Sequence, residues 1–206
     1  MRLIDGMQSI AVGMLSTSCR DWGATFLMRG QLDSAIKACT RAIKLDPTLV
    51  EAHVNRGLAW LEKGDYALAL ADFDNALALA PKQALIHAHR GMACYYSGDL
   101  NAAISDINYA IYLDPRQSLP YVYRGMVEIA QGNPLGALSD YSTAISRDPH
   151  NVVAYRRRAD VRVMLGNLRE AMRDYFTYLE MGKMQSYSSR AEVEGIVSRL
   201  RQQLSM

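Results

Sequence analysis

The amino-acid sequence predicts an all-α protein built as a solenoid of antiparallel helix pairs. Three observations lead there. First, Gly23, Gly57, Gly91 and Gly125 are each 34 residues apart, and Gly30, Gly64, Gly98, Gly132 and Gly166 keep the same spacing. So do Ala35, Ala69, Ala103, Ala137 and Ala171, and the prolines Pro47, Pro81, Pro115 and Pro149. A period of this length marks an array of supersecondary units, each burying its apolar face against the next. Second, every period carries two helical stripes parted by a Gly-containing turn. Third, apolar residues make up 50% of the chain and charged residues 21%, which excludes disorder.

The elements follow in order. In residues 1–15, Leu3, Met7, Ile10 and Met14 are spaced by four, three and four, as for an N-terminal extension or short capping helix that Gly6 and Gly13 weaken. Five units then span 16–49, 50–83, 84–117, 118–151 and 152–183. The second sets the pattern. Ala52 to Lys63 reads as one helix, Gly64-Asp65 as the break, and Tyr66 to Leu79 as a second helix. Asp65 is placed to cap the second helix through its carboxylate, and Asp99, Asn133 and Asn167 recur at that register. Pro134 stands at a first helical position, where its missing N–H costs nothing. The four periodic prolines each follow a helix end and stop it.

Gly57 lies inside a first helix, where glycine costs about 0.8–1 kcal/mol relative to alanine. Its repetition implies that the paired helices approach there with little room for a side chain. Ala76, Ala110 and Ala144 mark contacts on the other side of the second helix, and Trp60, Phe73, Tyr141 and Tyr175 fill wider gaps. The last unit drifts: Ala159 replaces the first Gly, Tyr178 the late Ala, and Lys183 the Pro. In 184–206, Val193, Ile196, Val197, Leu200 and Leu204 form one apolar stripe, with Glu192, Glu194, Arg199 and Arg201 off it, an amphipathic C-terminal capping helix.

The order of helix, Gly, Gly-Asp turn, Ala, aromatic, Ala and Asp-Pro resembles the tetratricopeptide repeat. Asn55-Arg56-Gly57-Leu58-Ala59-Trp60 and Ala110-Ile111-Tyr112-Leu113-Asp114-Pro115 lie close to that family's consensus, and the resemblance covers about residues 16–183. It implies a right-handed superhelix with the first helices lining a concave groove. Residues there include Arg20, Ala24, Leu27 and Met28, then Val54, Asn55, Leu58 and Leu61. Next come Ala88, His89, Met92 and Tyr95, then Val122, Tyr123, Met126 and Ile129, and last Arg156, Arg157 and Asp160. The centre of this strip is short of charge, as in a binding site, although some of these side chains are expected to pack between adjacent first helices. Leu58, Met92 and Met126 share one register and are expected to line up on the concave wall. Some family members clamp the C-terminal carboxylates of chaperone tails with Lys, Asn and Arg. Arg20 and Asn55 fit that pattern, but Ala24, Leu85 and His89 break it, so this function is not expected.

Other chemistry is sparse. A net charge of +2 is too weak for a nucleic-acid footprint, and no apolar run reaches the roughly 20 residues of a membrane span. Arg156, Arg157, Arg158 and Arg162 form the densest basic patch, either a solvated face or a steering surface for an acidic partner. Cys19 and Cys39 fall on paired helices, either bridged or as small buried thiols, and Cys94 reads as core. Residues 1–19 distantly resemble a lipoprotein signal, but Asp5, the short apolar stretch and the place of Leu15 depart from it. His53, His87, His89 and His150 do not cluster with cysteines, so no metal site is expected, and no phosphate loop or nucleophilic set points to an enzyme or a cofactor. Arg56, Arg90, Arg124 and Arg158, with Asp72, Asp106, Asp140 and Asp174, keep the period and read as a ladder of partly buried ion pairs, with a ligand role as the alternative.

The functional expectation is a non-enzymatic protein-interaction scaffold or assembly factor, in the cytoplasm, gripping a peptide or helical segment of another protein. The alternatives are an exported accessory lipoprotein of a membrane or secretion assembly, periplasmic or lipid-anchored, and a self-associating module.

Overall fold

In a computed structural model the chain is helical, with no strand among the described residues 2–181 and 190–204; side chains are described over 13–181 and 190–203. Lys183, the 183/184 boundary and the side chains of Leu3, Met7, Ile10 and Leu204 lie outside that set. Two compact units divide the chain, the first ending at Leu113 and the second starting at Asp114. The first holds α1 (Arg2–Met28), α2 (Leu32–Leu45), α3 (Val50–Lys63), α4 (Tyr66–Leu79), α5 (Ala84–Ser97) and α6 (Leu100–Leu113). The second holds α7 (Leu119–Ala130), α8 (Pro134–Arg147), α9 (Val152–Met164), α10 (Leu168–Met181) and α11 (Arg190–Leu204).

In the first unit α1 packs on α2, α3 on α4 and α5 on α6, and each second helix also meets the next first helix. The first helices touch in succession, α1 on α3 and α3 on α5. In the second unit α7, α8, α9, α10 and α11 pack each on the next. At the N-terminus no break separates an extension from the first repeat. One helix of 27 residues runs through Gly6 and Gly13, so the expected boundary at 15/16 has no counterpart in the backbone.

Each turn between paired helices has one construction. Gly30, Gly64, Gly98, Gly132 and Gly166 all take positive φ, between 67° and 93°. A side chain is disfavoured in this left-handed region, so glycine is required. At Gly64 the amide donates to the Leu61 carbonyl at 3.1 Å, and the Asp65 amide reaches back to the Trp60 carbonyl at 2.9 Å. This paired closure satisfies carbonyls that a helix end leaves open. Asp99 caps α6 by accepting from the Ala102 amide at 2.9 Å, and Asn133 caps α8 from the Gly136 amide at 3.1 Å. Asp65, expected to do the same for α4, makes no side-chain cap.

The glycines inside the first helices mark close approach, as the sequence predicts. A Cβ on Gly57 would lie 2.8 Å from the Phe73 ring, on Gly91 2.7 Å from Ile107 Cγ1, and on Gly125 2.6 Å from the Tyr141 ring. The facing residue is always 16 positions later, so register alone fixes the pairing. Between repeats, the Asp of the Asp-Pro step holds the turn. The Asp46 carboxylate accepts from the Thr48 amide at 2.9 Å and Asp148 from the His150 amide at 2.9 Å. At the far end, Val193, Val197 and Leu200 of α11 are buried with Ala159, Ala171, Tyr175 and Tyr178.

Candidate functional site

The Arg–Asp ladder ties the first helices to the second helices of their own repeats. Arg56 donates to Asp72 through Nε at 2.8 Å and Nη2 at 2.7 Å, and Arg90 grips Asp106 at 2.7 Å through both. Arg124 holds Asp140 at 2.9 and 2.7 Å, and Arg158 holds Asp174 at 2.8 Å twice. A planar guanidinium matches a carboxylate in this two-pronged way, and lysine could not. A third arm reaches the preceding second helix: Arg56 Nη1 donates to Thr40 Oγ1 at 3.1 Å, Arg90 Nη1 to Asp74 at 2.8 Å, and Arg158 Nη1 to Ser142 Oγ at 3.3 Å. Each of these three arginines therefore ties three helices. The ladder's role is structural, since its carboxylate partners already occupy the guanidinium forks.

Histidines reinforce the same seam. His53 Nε2 lies 3.1 Å from the Pro47 carbonyl oxygen and His87 Nε2 2.9 Å from that of Pro81, while the Tyr121 hydroxyl donates to Pro115 at 3.1 Å. They anchor the inter-repeat turn to the helix that follows. No group of three potential metal ligands occurs among the described residues.

The expected groove residues divide into three groups. Val54, Leu58 and Leu61 are half-buried and pack on the core of Phe73, Ala76, Leu77 and Ile86, so each presents only part of its surface. Asn55, Tyr95, Tyr123, Met126, Ile129 and Arg156 are also half-buried, and Arg157 is exposed. His89 is half-buried and stacked on Phe73, centroids 6.1 Å apart, and burial pushes its imidazole down to about 4. Met92 departs from the expectation. It is 3% exposed and belongs to the core. Among the described residues α5 is the most buried helix, and Ala88 and Ala93 beside Met92 are fully covered. Small side chains at these points let neighbouring backbones close over the methionine, whereas Val54 stands where Ala88 does one repeat earlier.

What the first helices do expose is a different apolar set. Met28 is 84% and Tyr96 47% exposed, and Leu85 is exposed as well; in the second unit Val153 and Met164 are exposed. Met28, Tyr96 and Met164 share one register of the period, and Leu85 and Val153 another. Of these, sequence reasoning placed only Met28 on the groove. The signal in the sequence is partial: the register of Met28, Tyr96 and Met164 also holds Glu62 and Ala130, and that of Leu85 and Val153 also holds Glu51, while Tyr96 itself stacks on Tyr66 of α4 with ring centroids 5.7 Å apart.

At the end of the second unit, Arg156 Nη2 donates to Glu192 of α11 at 2.8 Å. The Tyr175 hydroxyl donates to Asp160 at 2.7 Å. Burial holds the Asp160 carboxyl above its usual range, against the pull of that hydrogen bond and of Arg156 and Arg157. The basic cluster is thus partly spent on internal pairs, with Arg158 and Arg162 both on Asp174.

Cys19, Cys39 and Cys94 are buried free thiols. Cys39 faces Gly23, where a Cβ would overlap its sulfur, and Cys19 packs with Ala42 and Ala52. Burial pushes the Cys39 thiol up to about 11. No helix among the described residues is long and apolar enough to cross a membrane.

The sequence pattern of the tetratricopeptide repeat matches residues 21–84, 55–118 and 124–185. The chain belongs to the tetratricopeptide-repeat family. Solved structures of similar fold include a thermophilic tetratricopeptide protein of Thermus thermophilus, with a TM-score of 0.79 and 19% identity over 90% of this chain and 98% of that one. The MamA protein is similar at a TM-score of 0.60 and 25% identity, covering 84% of this chain and 95% of that one. The first tetratricopeptide domain of Spaghetti (RPAP3), solved bound to an HSP90 peptide, is similar at a TM-score of 0.54 and 23% identity over 61% of this chain and 98% of that one. No curated protein matches the chain in sequence.

Proposed function

We propose that this tetratricopeptide protein is a non-enzymatic scaffold that holds an apolar peptide or helical segment of another protein against the faces of its first helices. The observation that carries the reading is the exposed apolar set at repeat register: Met28, Leu85 and Tyr96 in the first unit, Val153 and Met164 in the second. Exposed apolar residues that recur at one register in several repeats fit a contact surface. Val54, Asn55, Leu58, Leu61 and Tyr95 border it in the first unit, with Tyr123, Met126 and Ile129 in the second, each with part of its side chain available. Arg157, exposed beside Asp160, offers a cation to an acidic residue of the ligand, and Arg156 is engaged by Glu192. The peptide-bound Spaghetti structure supports the general mode. The ligand class differs, because Ala24, Leu85 and His89 stand where a carboxylate clamp needs polar or charged groups. Three free buried thiols suit a reducing compartment, the cytoplasm.

A photo-crosslinking amino acid at Tyr96 tests this, compared with the same group at Ala71, which is exposed on the second helix α4. In lysate of the source cell, adducts with one defined partner are expected from position 96 and not from 71. Equal labelling from both, or labelling only from 71, would move the contact to the other face.

A further inference from the structure

Arg56, Arg90 and Arg158 each point a third arm at one register of the second helices, where Thr40, Asp74 and Ser142 stand. Against Asp74 the arm of Arg90 donates to a carboxylate at 2.8 Å, a charge-assisted length. Against Thr40 and Ser142 it meets only a hydroxyl, at 3.1 and 3.3 Å. The surroundings differ in the opposite sense. Asp74 has Ala71 three residues before it and Ala78 four after, and Ser142 has Ser139 and Ser146. Thr40 has Lys37 and Lys44 at those two places, on its own side of α2. Lys37, Thr40 and Lys44 are all exposed. The nearby carboxylates are engaged elsewhere: Asp33 by Lys63 at 2.6 Å, Asp46 by the Thr48 amide and hydroxyl, and Asp72 by the fork of Arg56 itself. The first copy thus gathers three cations about a neutral hydroxyl, whereas Asp74 brings its own anion and has no lysine beside it.

We propose that Thr40 is a phosphorylation site, and that phosphothreonine joins α2 to α3 by the anion–arginine contact that Asp74 already makes between α4 and α5. In the transfer, Thr40 Oγ1 attacks the γ-phosphorus of a nucleoside triphosphate brought by a cellular kinase. The bond from that phosphorus to its bridging oxygen breaks, the nucleoside diphosphate leaves with the electron pair, and the hydroxyl proton passes to a base of the kinase. The product carries about two negative charges and three strong acceptor oxygens. Arg56 Nη1 already lies against the modified oxygen, and Lys37 and Lys44 stand one helical turn to either side. An anion suits this point of the helix. Asp74 sits five residues before the last residue of α4, and Thr40 five before the last residue of α2. Ser142 is the poorer acceptor, because it is half-buried and its hydroxyl donates to the Leu138 carbonyl at 2.8 Å. Since Arg56 also grips Asp72, one guanidinium would bind carboxylate and phosphate together and lock α2, α3 and α4.

Tandem mass spectrometry of the chain isolated from its source cells, with phosphatase inhibitors present, tests the site. A phosphoryl group on Thr40 is the expected result, and Thr40 unmodified in both growing and starved cells overturns the proposal. Thermal melts test the contact. The whole chain made with phosphothreonine at position 40 should melt roughly 2–4 °C above the unmodified chain, and Thr40→Asp should raise the melt by less. The gain should shrink in the double variant Lys37→Ala, Lys44→Ala, and at high salt. A phosphorylated chain that melts at or below the unmodified one overturns the proposal, as does a gain that the lysine variant leaves intact. Inorganic phosphate, compared with chloride at equal ionic strength, separates a bound anion from a covalent one. An unmodified chain that phosphate stabilises, with Thr40 bare in cells, gives the cluster to free phosphate instead.

Discussion

Replacing Gly91 by alanine sets two effects of known sign against each other. In a helix interior the change gains about 0.8–1 kcal/mol from backbone propensity. The added methyl, however, would lie 2.7 Å from Ile107 Cγ1, 3.0 Å from the Ala103 carbonyl oxygen and 3.3 Å from Asp106 Cβ. Ile107 is fully buried and the carbonyl belongs to the helix backbone, so neither can turn aside, and α5 and α6 must part. Overpacking of one methyl in such a place costs about 1–3 kcal/mol. Gly195 in α11 provides the control, because a Cβ there meets nothing within 4 Å. Gly195→Ala should therefore stabilise by about 1 kcal/mol, and Gly91→Ala should fall below it by about 1–3 kcal/mol. Urea unfolding followed by circular dichroism measures both, with midpoints compared at matched slope. Ile107→Val should recover part of the loss in the Gly91→Ala background. If Gly91→Ala stabilises as much as Gly195→Ala, the close approach of paired helices is wrong.

Arg90→Ala should destabilise by about 1.5–3 kcal/mol, the worth of hydrogen bonds to a charged group, and far more than Arg116→Ala in its exposed turn; thermal melts of both, and a double-mutant cycle with Asp106→Ala, read the coupling. Met92→Asp should unfold the protein or lower its melting temperature steeply, because a carboxylate would enter the core, whereas Tyr96→Asp should lower the melt only slightly, by the loss of its stack on Tyr66, worth about 0.5–1.5 kcal/mol. Stability should fall on acidification from about pH 6.5 toward 4. The unfolded chain takes up a proton on His89 near its ordinary pKa while the folded chain holds it off to about 4, and His89→Phe should flatten that part of a stability–pH curve.

Much of the fold was legible because a strict period makes each equivalent residue testify for the others. The glycines against residues 16 positions on, the Asp-Pro turns and the Arg–Asp pairs are all contacts between residues at constant offset, so one unit predicts the rest. α4 runs from Tyr66 to Leu79 as expected. What the period cannot convey is how far neighbours cover a given register. Leu58 and Met92 are equivalent, yet the first is half-buried and the second 3% exposed, because flanking Val54 and Ala88 differ in size. The same blindness hid Tyr96 and Leu85, whose exposure depends on which side of α5 is left uncovered. The ends carry no repeat to lean on. Gly6 and Gly13 suggested a weak, separate helix before residue 16, whereas α1 runs through both.

The central claim is that a partner lies on the exposed apolar register of the first helices. Calorimetric titration of the crosslinked partner segment into wild-type protein and into Tyr96→Asp tests it most directly, since the substitution changes a surface group and not the core. A loss of affinity of at least tenfold, in a protein that stays folded at the assay temperature, is the predicted result, because the partner must strip water from the new carboxylate. Unchanged affinity would contradict the account.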